Sequence, residues 1–127
     1  CSSLLQRGGT LQVQAITIPN HRYQSYRKNC DFIQKYIFPG GLLPSSERIM
    51  HAASNAGLKL TDSTSTKSNY SKTLAHWHKN LVDNKEYLFE VGFDPLEIRL
   101  FLYYFSYCEG GFRAGHIDNI QFSFLKR

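Results

Sequence analysis

No apolar run in this chain is long enough to cross a bilayer. The longest, Ile98 to Cys108, has nine apolar residues in eleven and is broken by Arg99 and Ser106, whereas a span needs about 20. Cysteine is scarce. Cys1, Cys30 and Cys108 are odd in number and show no CxxC spacing, which argues against a disulfide framework or a zinc site and makes reduced cytoplasmic thiols the expectation. The five histidines supply no metal site, because His76 and His78 are two apart, about 200° around a helix. There is no GxGxxG, P-loop, GxSxG elbow or HExxH, and no carboxylate pair at a meaningful spacing. Repeats and low-complexity tracts are missing too. No Lys/Arg run exceeds two residues and no RNP-type aromatic motif occurs, so nucleic acid is not an expected partner. The first residue is Cys1, not Met, and no charged stretch followed by an apolar one marks a signal peptide. CSSLLQRGGTLQV reads like the interior of a protein, so a fragment is expected.

What is present is enough for one domain. Of 127 residues, 42% are hydrophobic and 14% aromatic, which excludes disorder, collagen, a coiled coil and a disulfide-stapled miniprotein. The net charge of +5 is uneven. Residues 1–60 carry seven Lys/Arg against two acids, and residues 61–127 carry eight of each. A basic half fits an anionic partner or a solvated basic surface.

The pattern predicts three strands and about four helices. Gly8-Gly9 marks a turn, and Thr10 to Ile18 reads as a strand closed by Pro19-Asn20. Tyr23 to Tyr36 reads as a helix, broken by Phe38-Pro39-Gly40-Gly41. Ser45 or Ser46 caps a helix with Ile49, Met50, Ala52, Ala53 and Ala56 on its apolar face and Gly57 as its stop. Leu58 to Thr61 begins a second strand, and Ser63 to Asn69 reads as a loop. A long helix is expected from Tyr70 to about Glu90, with Leu74, Trp77, Leu81, Val82, Leu88 and Phe89 as its stripe. Asp94-Pro95 opens another helix, running to about Cys108 and ended by Gly110-Gly111. Apolar nearly all round, it is either buried on every side or lines an apolar pocket. Ile117 to Lys126 alternates and forms the last strand.

These residues alone indicate no reaction. Tyr70 stands at a helix start, where backbone N–H groups could join it in holding a small anion; a ring packed on its own helix is the alternative. Gln12 and Gln14 lie on a strand expected to be buried, so they are satisfied by backbone or line a site. His116 reads as a surface residue.

Four stretches together are more specific. Asp31-Phe32-Ile33-Gln34-Lys35-Tyr36-Ile37-Phe38-Pro39-Gly40-Gly41 runs into Leu43-Pro44-Ser45. Asn69-Tyr70-Ser71-Lys72-Thr73-Leu74 precedes Trp77. Tyr107-Cys108-Glu109-Gly110-Gly111-Phe112-Arg113 precedes Ile117 and Gln121, and Gln14-Ala15-Ile16-Thr17-Ile18 ends the first strand. Over essentially the whole chain this resembles the C-terminal half of the cyclopropane-fatty-acyl-phospholipid synthases, the S-adenosylmethionine-dependent methyltransferases that include the mycolic acid cyclopropane synthases. The first block is the most specific.

The resemblance implies an α/β fold, the C-terminal portion of a Rossmann-like class I methyltransferase. Its three strands would be the fifth to seventh, with the seventh antiparallel between the others. It also implies methyl transfer to a cis double bond of a phospholipid acyl chain, giving a carbocation that loses a proton to bound bicarbonate and closes to a cyclopropane. Tyr70 matches the family tyrosine that hydrogen-bonds the bicarbonate, and Ile16 matches the residue whose backbone contacts it. Gln14 falls where many members have a His, and it can donate a hydrogen bond without titrating near neutral pH. The glycine-rich cofactor loop and the family's Cys and Glu ligands of the ion are not in this chain.

Phe38, Trp77, Tyr104 and Phe112 are the expected acyl-chain contacts, on segments that would cover the tunnel. The basic excess fits docking on anionic phospholipid, and the expected place is cytoplasmic, peripheral to the inner face of the membrane of a bacterium. Two further partners are expected: the missing N-terminal half, and a second copy through the open edge of the first strand. The isolated piece is expected to be inactive. A small-molecule or amine N-methyltransferase and a stand-alone lipid-binding module are the alternatives.

Overall fold

The computed structural model describes residues 1–127. They form two compact units, Cys1–Thr66 with His116–Arg127, and Lys67–Gly115.

The first unit is built on β1 (Thr10–Thr17), β2 (Leu58–Ser65) and β3 (Asp118–Lys126). The sheet order is β1-β3-β2, and β3 is antiparallel to both neighbours, so β1 and β2 run parallel to each other. This is the predicted arrangement. Alternation assigns the faces. Leu11 stands opposite Phe124, Val13 opposite Phe122 and Ala15 opposite Ile120. Phe122 and Phe124 are buried and stack at 6.1 Å, and they share a core with Leu58 and with Ala53 of α3 (Ser46–Asn55). On the other face Gln12 meets Ser123 and Gln14 meets Gln121. In β2 the register shifts between Leu60 and Asp62. Leu58 and Leu60 share the core face, and strict alternation would place Asp62 there as well. The inserted Thr61, whose Oγ1 donates to the Ser123 carbonyl at 3.0 Å, moves the carboxylate to the polar face.

Several boundaries differ from the sequence expectation. Residues 23–36 form two short helices, α1 (Asn20–Tyr26) and α2 (Phe32–Tyr36), instead of one. Asn29 Nδ2 donates to the Ser25 carbonyl (2.7 Å) past the end of α1, and Asp31 begins α2 through a capping box with Gln34. The expected loop from Ser63 is strand as far as Ser65. There β3 supplies backbone partners, and Ser65 Oγ donates to Asp118 at 2.7 Å. Ser45 is the N-cap of α3 but makes no capping hydrogen bond. Gly57, at φ +74°, provides the left-handed turn from α3 into β2.

The second unit contains α4 (Lys67–Asp83), α5 (Lys85–Glu90) and α6 (Pro95–Arg113), which brings the helices to six instead of four. α4 and α6 pack along each other, and Leu74 and Ile98 are fully buried. The predicted helix from Tyr70 starts three residues earlier and breaks at Asn84, whose Nδ2 turns back to the Asn80 carbonyl (2.8 Å). Asp94 caps α6 as expected, in a box with Glu97 and with Pro at the start. α6 does not stop at Gly110-Gly111. Burial of Phe112 and an i,i+4 ion pair from Arg113 to Glu109 (2.6 Å) carry it to Arg113, against a propensity cost of about 1 kcal/mol per glycine. α6 is not buried on every side either, for Leu96, Phe101, Tyr103 and Tyr107 are exposed.

Phe122→Ala should lower unfolding free energy by about 3–5 kcal/mol in urea titration, because the cavity lies at the centre of the only sheet of this unit.

Candidate functional site

The polar face of the sheet carries Gln14 and Ile16 of β1, two residues apart and on the same side. Gln12 and Gln14 were expected to be buried, yet both are exposed, and their partners are side chains of β3. Ser123 Oγ donates to Gln12 Oε1 at 2.7 Å, and Gln121 Nε2 donates to Gln14 Oε1 at 3.2 Å. Ile16, half-buried, stands opposite Asn119. Asn119 is 2% exposed. Its Nδ2 donates to Thr66 Oγ1 (2.8 Å), and its carbonyl accepts from the Thr66 amide (2.8 Å). Its Oδ1 is buried with no hydrogen-bond donor in the chain. An orphaned buried acceptor costs on the order of 1–3 kcal/mol. Sequence reasoning missed Asn119. The available signal was an asparagine, depleted in strands, inside an alternating aromatic strand.

The second unit gathers aromatic rings. Tyr70, half-buried in the first turns of α4, lies 4.9 Å from Phe112 and 6.3 Å, edge-on, from Trp77. Trp77 reaches Phe105 at 5.9 Å, and Tyr104 lies 5.5 Å from Phe105 and 6.4 Å from Phe101. Three of the four expected acyl-chain contacts, Trp77, Tyr104 and Phe112, thus fall in one cluster with Tyr70, and Phe101 and Phe105 complete it. Burial pushes the Tyr104 phenol up to about 12, with the Cys108 thiol and Tyr70 adding to the rise. The cluster therefore offers an apolar wall with a protonated phenol in it, and ring faces that attract positive charge. The fourth expected contact, Phe38, belongs to the first unit. It is exposed at a tight turn in which the Gly41 amide donates to the Phe38 carbonyl (2.9 Å) and Gly40 takes φ +80°. His116 is exposed, as expected.

A nucleotide-type cofactor needs a strand-to-helix turn whose glycines let backbone amides approach it. Neither such turn here contains glycine. β1 leads to α1 through Ile18-Pro19, and β2 to α4 through Thr66. The chain's residues do not form that cradle. No group of three His, Cys, Asp or Glu side chains is placed to hold a metal ion.

An α/β sheet whose last strand inserts antiparallel between two parallel ones, with helices between β1 and β2 and again between β2 and β3, is the C-terminal edge of a class I methyltransferase. Solved structures share it: the cyclopropane synthase MmaA2 of Mycobacterium tuberculosis superposes with a TM-score of 0.86 at 25% identity, covering 98% of this chain and 47% of that one. The mycolic acid cyclopropane synthase CmaA1, solved with SAH and CTAB, gives 0.85 at 29% identity, with 98% and 46% covered. The family model for mycolic acid cyclopropane synthetase matches residues 1–122, and the chain belongs to that S-adenosylmethionine-dependent family. Tuberculostearic acid methyltransferase UfaA1 of Mycobacterium tuberculosis is 38% identical over 124 residues, 97% of this chain and 29% of that protein. Cyclopropane mycolic acid synthase 1 of the same organism is 36% identical over 95 residues, 75% of this chain and 33% of that protein. The chain thus spans about a third of these curated relatives and about half of the solved structures.

In spectrophotometric titration near 295 nm, a late phase from Tyr104 should appear near pH 12. Because the folded state raises this pKa, its stabilisation is complete below about pH 10 and is lost as pH rises towards 12. Tyr104→Phe should abolish the late phase.

Proposed function

We propose that this chain is the C-terminal part of an S-adenosylmethionine-dependent cyclopropane fatty acid synthase that methylenates a cis double bond in phospholipid acyl chains. The observation that carries it is the aromatic cluster of Tyr70, Trp77, Tyr104, Phe105 and Phe112, found in a chain whose relatives modify long acyl chains by name. S-adenosylmethionine would supply the electrophilic methyl group, held by residues outside this chain, and bicarbonate the base.

The chain's own contributions follow from its side chains. Trp77, Tyr104 and Phe112 would give the acyl chain apolar contact and exclude water, and the resemblance assigns Phe38 of the first unit the same role. The ring faces favour positive charge developing on the alkene carbons, an attraction worth about 2 kcal/mol or more when water is excluded. Tyr70 would donate its hydroxyl hydrogen to the bicarbonate, and the resemblance assigns Gln14 and the Ile16 backbone, on one face of the sheet, to the same ion. Asn119 Oδ1, the orphaned acceptor opposite Ile16, fits an ion that carries one O–H donor besides its acceptor oxygens.

The basic excess of residues 1–60 suits an enzyme working on anionic phospholipid from the cytoplasmic side. The outer edge of β1, which has a strand on one side only, would continue the sheet into the N-terminal half, and in the isolated chain would pair with a second copy. The 127 residues alone would not transfer methyl groups. The match to UfaA1, broad in coverage, supports a second reading, methyl branching without ring closure.

The test is acyl-chain mass spectrometry of the enzyme containing this chain, given labelled S-adenosylmethionine and unsaturated phospholipid vesicles. One added methylene that resists mild hydrogenation is the expected result. A product that takes up hydrogen supports branching, and no lipid product, with methylated amines instead, overturns the proposal. Tyr70→Phe should lower kcat about a hundredfold. Sedimentation of the isolated chain should show a dimer, and a monomer at high concentration removes the role given to the β1 edge.

A further inference from the structure

A cavity of about 500 Å³ opens in the first unit where α3 begins, lined by Asn20 and Tyr23 of α1 and by Ser45, Glu47, Arg48 and His51. None of these residues has a part in the acyl chemistry proposed above. Ser45 lines the cavity and is only 2% exposed, yet its hydroxyl caps no amide of the helix it precedes. No hydrogen bond of the helix start engages that hydroxyl, so it is open to a ligand in the cavity.

The other groups point to the charge of such a ligand. α3 runs ten residues, so its N-terminus presents open amides and the positive end of the helix dipole. Asn20 Oδ1 accepts from the Glu47 amide at 3.3 Å, while the Ser46 and Arg48 amides have no acceptor in the chain. The Arg48 guanidinium is held 5.0 Å above the Tyr23 ring and belongs to neither of the chain's two ion pairs. Asn55 Nδ2 donates to His51 Nδ1 at 3.3 Å, which leaves the Nε2–H of that ring as a donor. Glu47 is the one carboxylate of the lining and opposes an anion. The surrounding residues 1–60 carry the whole excess of positive charge.

We propose that this cavity is a phosphate-binding site, taking a phosphate mono- or diester on the Ser45 hydroxyl, the Arg48 guanidinium and the open amides at the start of α3. A tetrahedral anion with several acceptor oxygens can serve all three kinds of donor at once, which a two-oxygen carboxylate cannot. The volume exceeds that of a bare phosphate and leaves room for an esterified group. The same chemistry is offered by a phospholipid headgroup and by free phosphate. The site stands on the first unit alone and holds whichever lipid product the enzyme makes.

The test follows the backbone amides of the chain by NMR during titration with inorganic phosphate, with ionic strength held constant by chloride. Saturable shifts are expected at residues 45–49. Arg48→Met should weaken binding about tenfold, and Glu47→Gln should tighten it about threefold by removing the opposing charge. Arg48→Lys keeps the charge and should bind within about fivefold of the original. The rest of the amide spectrum reports whether each variant is folded. Glycerol 3-phosphate shifting the same amides, with co-sedimentation on phosphatidylglycerol vesicles that Arg48→Met abolishes, assigns the site to a headgroup. Saturation by inorganic phosphate without either assigns it to free phosphate. Linear shifts, or shifts that are alike in the original chain, Arg48→Met and Glu47→Gln, overturn the proposal.

Discussion

Strand β3 is the last element of the chain and the middle of its sheet. β1 and β2 share no hydrogen bonds, and each is a strand only because β3 lies beside it. The pairing brings Asp118–Lys126 against residues more than 100 positions earlier, as in Gln121 with Gln14. Such distant pairing is slow to form, since the chain must lose loop-closure entropy before any contact compensates it. The same strand contributes Phe122 and Phe124 to the core on one face, and Asn119, Gln121 and Ser123 to the polar face. One strand therefore supplies the core and half of the polar surface on which Gln14 and Ile16 lie.

The insertion of α4 to α6 between β2 and β3 shows how a fold can acquire a chemical environment without disturbing its sheet. The insertion has its own packing, with Leu74 and Ile98 fully buried, and its own aromatic cluster. Tyr104 illustrates the consequence. A phenol among rings and a thiol is difficult to ionise, so it remains a hydrogen-bond donor over the whole physiological range. Polar groups in the two units serve different ends. In the sheet they pair across strands, and the exception is Asn119 Oδ1, which is buried without a hydrogen-bond partner.

Family resemblance and physical pattern were legible in the sequence to different depths. The blocks around Phe38, Tyr70 and Cys108 indicated the family, and the family supplied the strand order. The apolar alternation of Leu11, Val13, Phe122 and Phe124 indicated the strands without it. Tyr70, Trp77 and Phe112 were each visible as residues, but their proximity was not. Trp77 and Phe105 are 28 positions apart, on helices whose contact no local spacing reports. The orphaned oxygen of Asn119 was silent in the sequence. An unsatisfied oxygen is defined by what surrounds it, and the surroundings come from distant segments.

The sequence by itself determined the elements whose signals are local. The capping box at Asp94, the glycine turn at Gly57 and the strand alternation all act within a few residues, where propensity and side-chain hydrogen bonding operate. Tertiary structure decided the rest. It extended β2 through polar Ser63 to Ser65 because β3 offered backbone partners, and it carried α6 through two glycines because Phe112 is buried. It also moved Asp62 off the core by one inserted residue. In each case long-range burial or pairing outweighs a local preference of about 1 kcal/mol or less per residue, and only the folded chain brings those distant groups together.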